Sequence, residues 1–130
     1  MKNLVVKTAI ITLASIVSIM AVTFGALCAF MPKTVAGFFE NLGSKTASVF
    51  FYQKQYQKTN KIDDLIVVID CAYLMEDLVL QEKYIKELIN HDDFSSYCQK
   101  QDAENQGKIS TQEYYEGYYD AVVKKLNGEN

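Results

Sequence analysis

Between Lys7 and Pro32 the chain runs for 24 residues, Thr8 to Met31, without a charged side chain, and isoleucine, valine, alanine, leucine and methionine fill most of the run. At the usual rise, a helix over those positions is about 36 Å long and covers a hydrocarbon core of about 30 Å with some tilt. The run therefore predicts a transmembrane anchor over residues 1 to 32, with a short basic tail. The competing reading is a cleaved secretory signal whose positive region is Met1, Lys2 and Lys7. Against cleavage, signal cores are about 7–15 apolar residues long, and Ala26 and Cys28 make a mediocre cleavage site. Lipidation at Cys28 would require a small residue before it, where Leu27 stands. A buried core helix is excluded because about 100 remaining residues could hardly enclose the run on all sides.

Lysines flank both ends of the run: Lys2 and Lys7 before it, Lys33 and Lys45 with Glu40 after it. A short lysine-bearing tail leading straight into the apolar run has the form of a signal anchor. The positive-inside count is almost a tie, and the signal-anchor form sets the expectation of a tail inside the cell and a C-terminal domain outside the cytoplasm. Within the run, Ala14, Ser18, Ala21, Gly25 and Ala29 recur at steps of three or four, so they line one face of the helix. That face is a candidate seam for self-association of the small-xxx-small kind, set against the ordinary abundance of small residues in membrane helices.

The remaining residues suit one small domain. Residues 32 to 61 carry five lysines and one glutamate, whereas 62 to 130 carry six lysines against fifteen acids. One reading is that the proximal stretch suits anionic head groups while the distal part is repelled by them; the other is a solvated mixture of charges with no partner. With no arginine and a net charge of −3, nucleic acid is not an expected partner. Cys71 and Cys98 sit on predicted helices among apolar neighbours, and are read as buried free thiols rather than as a disulfide. With no CxxC and one histidine, the sequence assembles no zinc site, and no cofactor is expected.

After the anchor the pattern is helical throughout, which makes the fold all-α. Val35, Phe38, Phe39 and Leu42 recur at helical spacing before Gly43. Residues 33 to 43 are thus a juxtamembrane amphipathic segment, lying at the membrane interface or packed on the domain as its first helix. The domain itself is expected over 44 to 130. Ser44 starts a helix to about Thr59, with Ala47, Phe50 and Phe51 on one side and Val49, Tyr52 and Tyr56 on another, both covered. A helix over Asp63 to Leu74 follows, its apolar stripe formed by Ile62, Leu65, Ile66, Ile69, Ala72 and Tyr73. Next come a helix over Leu78 to Asn90 and a short one over 92 to 100. Lys100 to Lys108 reads as an exposed loop, and Thr111 to Leu126 as the last helix.

Tyr56, Asn60 in the turn, then Lys61, Ile62, Leu65, Ile69 and Ala72 make a ladder that resembles the tetratricopeptide repeat. Asn60 stands where glycine is usual, Leu65 where alanine is usual and Val49 where a bulky aromatic is common. A weaker second pass runs from Glu76, Asp77 and Leu78 to Ile85 and Leu88. The resemblance implies a stack of antiparallel helical hairpins that binds a peptide or protein, with the last helix as its cap. Tyr114, Tyr115, Tyr118 and Tyr119 on that helix are candidate partner-binding residues, since tyrosine offers large contact area at low entropic cost. The alternative is that they pack as core and cap. Gly117, on the same face as Tyr114 and Ala121, predicts a close neighbouring helix.

Residues 102 to 113 have the twelve-residue spacing of an EF-hand loop. Candidate calcium ligands are Asp102, Glu104, Gln106, Ser110 and Glu113, with Gly107 sixth and Ile109 eighth. Glu104 is long for its place, Gln106 is neutral, and Ser110 with Glu113 also forms a helix capping box that needs no metal. No nucleophile, phosphate loop or acid–base pair stands in a recognisable context. His91 beside Asp92 and Asp93 reads as a solvated turn, so no enzymatic activity is expected. The sequence thus favours a membrane-anchored interaction module or accessory subunit, with a calcium-binding domain and a membrane-proximal spacer as alternatives.

Overall fold

The computed structural model describes residues 2–129. Met1, first in the expected anchor, and Asn130, last in the expected domain, lie outside that range. Among the described residues there are seven helices and no strand: α1 (Lys2–Phe30), α2 (Pro32–Asn41), α3 (Lys45–Thr59), α4 (Ile62–Leu74), α5 (Leu78–Ile89), α6 (Phe94–Glu104) and α7 (Thr111–Leu126). The chain is all-α, and its N-terminal helix is long and apolar enough to cross a membrane.

No residue in the apolar stretch of α1 is fully buried, and only its C-terminal part is touched by the rest of the protein. Its hydroxyls are satisfied within the helix. Thr8, Thr12, Ser15, Ser18 and Thr23 each donate to the carbonyl four residues back, at 2.8–3.0 Å. Such bonding leaves no hydroxyl in the apolar run in need of water.

Pro32 ends α1 and opens α2 at its first position, where the absent N–H costs nothing and the residue before it is driven from the helical region. Met31 accordingly takes φ −131° and ψ 55°. From there α2 turns back beside α1, bringing Phe39 edge-on to Phe24 at 6.4 Å between ring centres. Lys58 Nζ, from the far end of α3, donates at 2.9 Å to the Phe30 carbonyl, one of the oxygens that the end of α1 leaves without a helical partner. Gly43 stops the α2 segment with φ +76°, as a glycine past a helix end is suited to do.

Helices α3 and α4 form a hairpin through Asn60, which adopts the left-handed conformation (φ 49°) while its N–H donates to the Tyr56 carbonyl at 2.7 Å. Asp64, in the first turn of α4, is buried and accepts from Thr59 Oγ1 at 2.6 Å and from Gln55 Nε2 at 3.4 Å. Lys33 Nζ of α2 lies 3.9 Å from the same carboxylate. One acid thereby joins three helices, and at the same end a ring nitrogen of His91 lies 3.1 Å from the Asn60 carbonyl oxygen. Asp77 caps α5 by accepting from the Leu80 N–H at 3.0 Å, after Glu76 has taken a positive φ of 56°.

Helix α5 packs against α4 on one side and α7 on the other, and α6 lies against α7. Leu65, Val68 and Ile69 of α4 meet Ile85 and Leu88 of α5 in the centre, with Val49 and Tyr56 of α3, Phe94 and Cys98 of α6 and Val122 of α7 around them. Cys71 and Cys98 are free thiols. Burial pushes the pKa of both upward, that of Cys71 to about 11, so neither is a ready thiolate.

Three sequence expectations are corrected. The segment expected as a loop from Lys100 begins as helix, because α6 continues to Glu104. Tyr73 is not part of the buried stripe of α4. It is 62% exposed, since the helix ends one residue later and the packed stripe stops at Ala72. Phe50 does not lie under a covering layer and keeps 49% of its surface.

Candidate functional site

The tyrosines of α7 separate according to what their neighbours leave open. Tyr115 turns inward against Phe94, with ring centres 6.2 Å apart. Burial raises its hydroxyl pKa above the ordinary tyrosine range, and the Tyr97 hydroxyl adds to the shift. Tyr119 borders a separate surface depression with Lys86, Ile89 and Glu116. Tyr114 and Tyr118 line a groove between α4 and α7, together with Asp70, Tyr73, Glu113 and Gly117.

The groove floor is held by a buried amide. Gln81 of α5 is 3% exposed, donates from Nε2 to the Ala72 carbonyl at 3.2 Å and accepts from the Tyr118 hydroxyl at 2.8 Å. Tyr118 is thus fixed at both its ring and its hydroxyl, for Tyr73 stands edge-on to it at 6.3 Å. Burial pushes the Tyr118 hydroxyl pKa up to about 12, so it remains a hydrogen-bond donor at neutral pH. Tyr114 projects above this floor, 57% exposed, and contacts the rings of Tyr115 at 5.2 Å and Tyr118 at 6.3 Å. Gly117 does not mark a close helix contact, as the sequence suggested. A Cβ there would meet nothing within 4 Å, so the missing side chain widens the groove instead.

Two carboxylates edge this surface, Asp70 from α4 and Glu113 from α7. Desolvation by the surrounding groups raises the Asp70 pKa. The arrangement presents rigid aromatic faces, one exposed ring and negative charge, which suits a segment carrying a cationic residue beside an apolar one. Tyr73, Asp70 and Gln81 were not among the expected binding residues. The fold brings them to one place: Gln81 meets Tyr118 across 37 residues of sequence, and Tyr73 is left exposed beside them at the end of α4.

In the candidate calcium loop two of the five candidate ligands, Asp102 and Ser110, bond to other groups of the protein. Asp102 and Glu104 lie in the last turn of α6, while Gln106 and Gly107 reverse the chain with φ 55° and 67°. Asp102 Oδ1 accepts from the Thr111 N–H at 2.8 Å and from Thr111 Oγ1 at 2.6 Å. Ser110 Oγ accepts from the Glu113 N–H at 3.3 Å, the first half of the capping box read in the sequence. Among the described residues no three acidic, cysteine or histidine side chains gather as a metal-ligand group.

The two Thr111 bonds hold the Asp102 pKa below the usual carboxylate range. A carboxylate with a depressed folded pKa stabilises the fold above its ordinary pKa and loses that contribution as pH falls through the depressed value. Asp102→Asn keeps the shape but removes the charge. Its melting temperature is expected to lie below the parent's at neutral pH and to converge with it on acidification, as followed by circular dichroism. A gap unchanged down to strongly acidic pH would contradict this role.

In the candidate seam of α1, Ala14, Ser18, Ala21, Gly25 and Ala29 are all exposed. A Cβ at Gly25 would have open space. No protein-family model, no curated protein and no solved structure matches this chain.

Proposed function

We propose that this protein is a non-catalytic, membrane-anchored interaction module: α1 crosses the bilayer, and the groove between α4 and α7 receives a peptide or protein segment near the membrane. The anchor reading is supported by an apolar helix with no fully buried residue in its apolar stretch, touched by α2 only near its C-terminal end, and with its hydroxyls bonded within it. The lysine-bearing tail would face the cytoplasm, with the helical domain on the other side. A tetratricopeptide-like hairpin stack is the architecture we favour. Support comes from Asn60, which has the positive φ that glycine commonly supplies at that turn, and from the buried Tyr56, Leu65, Ile69 and Ala72 of the ladder.

The observation that carries the binding reading is the exposed pair Tyr73 and Tyr114 over the fixed Tyr118–Gln81 floor, beside Asp70 and Glu113. Tyrosine side chains lose little freedom on binding, Tyr118 is already held by Gln81, and the carboxylates favour a basic partner. Panning a displayed random-peptide library against the full chain in lipid nanodiscs tests this. Enriched peptides should carry lysine or arginine beside an aromatic or aliphatic residue, and the doubly substituted Asp70→Asn, Tyr114→Ala chain should lose them. Enrichment no greater than on empty nanodiscs would contradict the proposal.

A further inference from the structure

Five of the seven phenylalanines form one continuous string of ring contacts, and that string begins on α1. Phe24 of α1 meets Phe39 of α2 at 6.4 Å, Phe39 stacks face to face on Phe51 of α3 at 5.6 Å, and Phe38 and Phe50 extend the two sides at 5.7 and 5.2 Å. The outer members are open. Phe38 is 54% exposed, Phe50 49% and Leu42, just past the end of α2, 65%. This aromatic surface is therefore continuous with the flank of α1.

We propose that this end of the domain, where α2 turns into α3, is itself a lipid-contacting surface seated at the headgroup–acyl boundary beside α1. The inference rests on α1 crossing the bilayer and extends it to a second point of contact. Phe24 lies seven residues before Met31, about 10 Å of helix rise below the end of the apolar run. Because α2 folds back to meet Phe24, the aromatic string reaches the depth of about 5–10 Å at which interfacial helices bury their apolar faces. In sequence the segment is basic, residues 32 to 61 carrying five lysines against a single acid, Glu40, although Lys33 lies beside Asp64, Lys58 donates to the Phe30 carbonyl and Lys45 to the Leu74 carbonyl. Glu40 accepts from the Tyr52 hydroxyl at 2.8 Å, which offsets part of its cost near lipid. Lys54 Nζ lies 4.9 Å from the Phe50 ring centre, and its long stem lets the ammonium rise to anionic head groups while the ring stays below.

The chain contains no tryptophan, so a single introduced indole reports its own surroundings. Full-length Phe50→Trp, Leu42→Trp and, as the distant control, Ile109→Trp on the α6–α7 turn are reconstituted in vesicles of phosphatidylcholine and phosphatidylglycerol. The acyl chains are brominated near the head group. Emission from positions 42 and 50 is expected to shift to the blue and to lose most of its intensity to the bromines, while position 109 emits as in water. Phe38→Trp replaces either variant that loses helical circular dichroism. Red-shifted, unquenched emission from both sites in chains that float with the vesicles overturns the seat alone. Blue-shifted but unquenched emission overturns it in favour of a second copy covering the face. A chain that does not float with vesicles overturns the α1 reading as well.

Discussion

Leu88→Ala is expected to cost about 2–5 kcal/mol in folding stability, enough to leave a small domain marginal. Leu88 has no exposed surface and sits where α5 is clasped between α4 and α7, so truncation leaves a cavity that fixed helices on both sides are poorly placed to fill. Ile109→Ala removes a side chain that is mostly exposed and should change stability by less than about 0.5 kcal/mol. Urea unfolding of the full chain in detergent, followed by circular dichroism, measures both. A Leu88→Ala loss of less than about 1 kcal/mol would show that α5 is not at the centre of the hydrophobic core.

Tyr118→Phe should destabilise the protein by about 1–3 kcal/mol although it deletes one oxygen. The loss arises on the partner, because Gln81 Oε1 is buried and accepts from that hydroxyl, and the phenylalanine ring offers it no donor. Gln81→Leu in the Tyr118→Phe background removes the stranded polar group and is expected to recover part of the loss. Equal penalties in the single and double variants would mean that water reaches the amide and that the groove floor is looser than described. The same pair of variants bears on binding, since Tyr118 gives the exposed Tyr114 ring a fixed neighbour.

The helices legible in the sequence were those with strong local signals. The uncharged run from Thr8 to Met31 marks α1, the apolar spacing of Leu65, Ile69 and Ala72 marks α4, and Ser110 before Glu113 marks the start of α7. The length of α6 was hidden because Gln99 to Glu104 is almost wholly polar, and its helical state is supported by Asp102 reaching forward to Thr111 rather than by an apolar stripe. The groove was only half visible. Tyrosines on α7 stood out by number, but which of them face outward depends on Phe94 taking Tyr115 and on Gln81 taking Tyr118, both from other helices. Periodicity also misassigned Phe50, since a regular apolar position says that a side chain avoids water without saying whether protein or lipid receives it.

Photo-crosslinking in intact membranes asks whether the groove is occupied, with p-benzoylphenylalanine placed at Tyr114 in the groove and, separately, at Lys100 on α6. A discrete protein adduct is expected from position 114, lost in the Tyr73→Ala chain and absent from position 100. The same adducts from both positions, or none from position 114, would contradict a binding groove between α4 and α7.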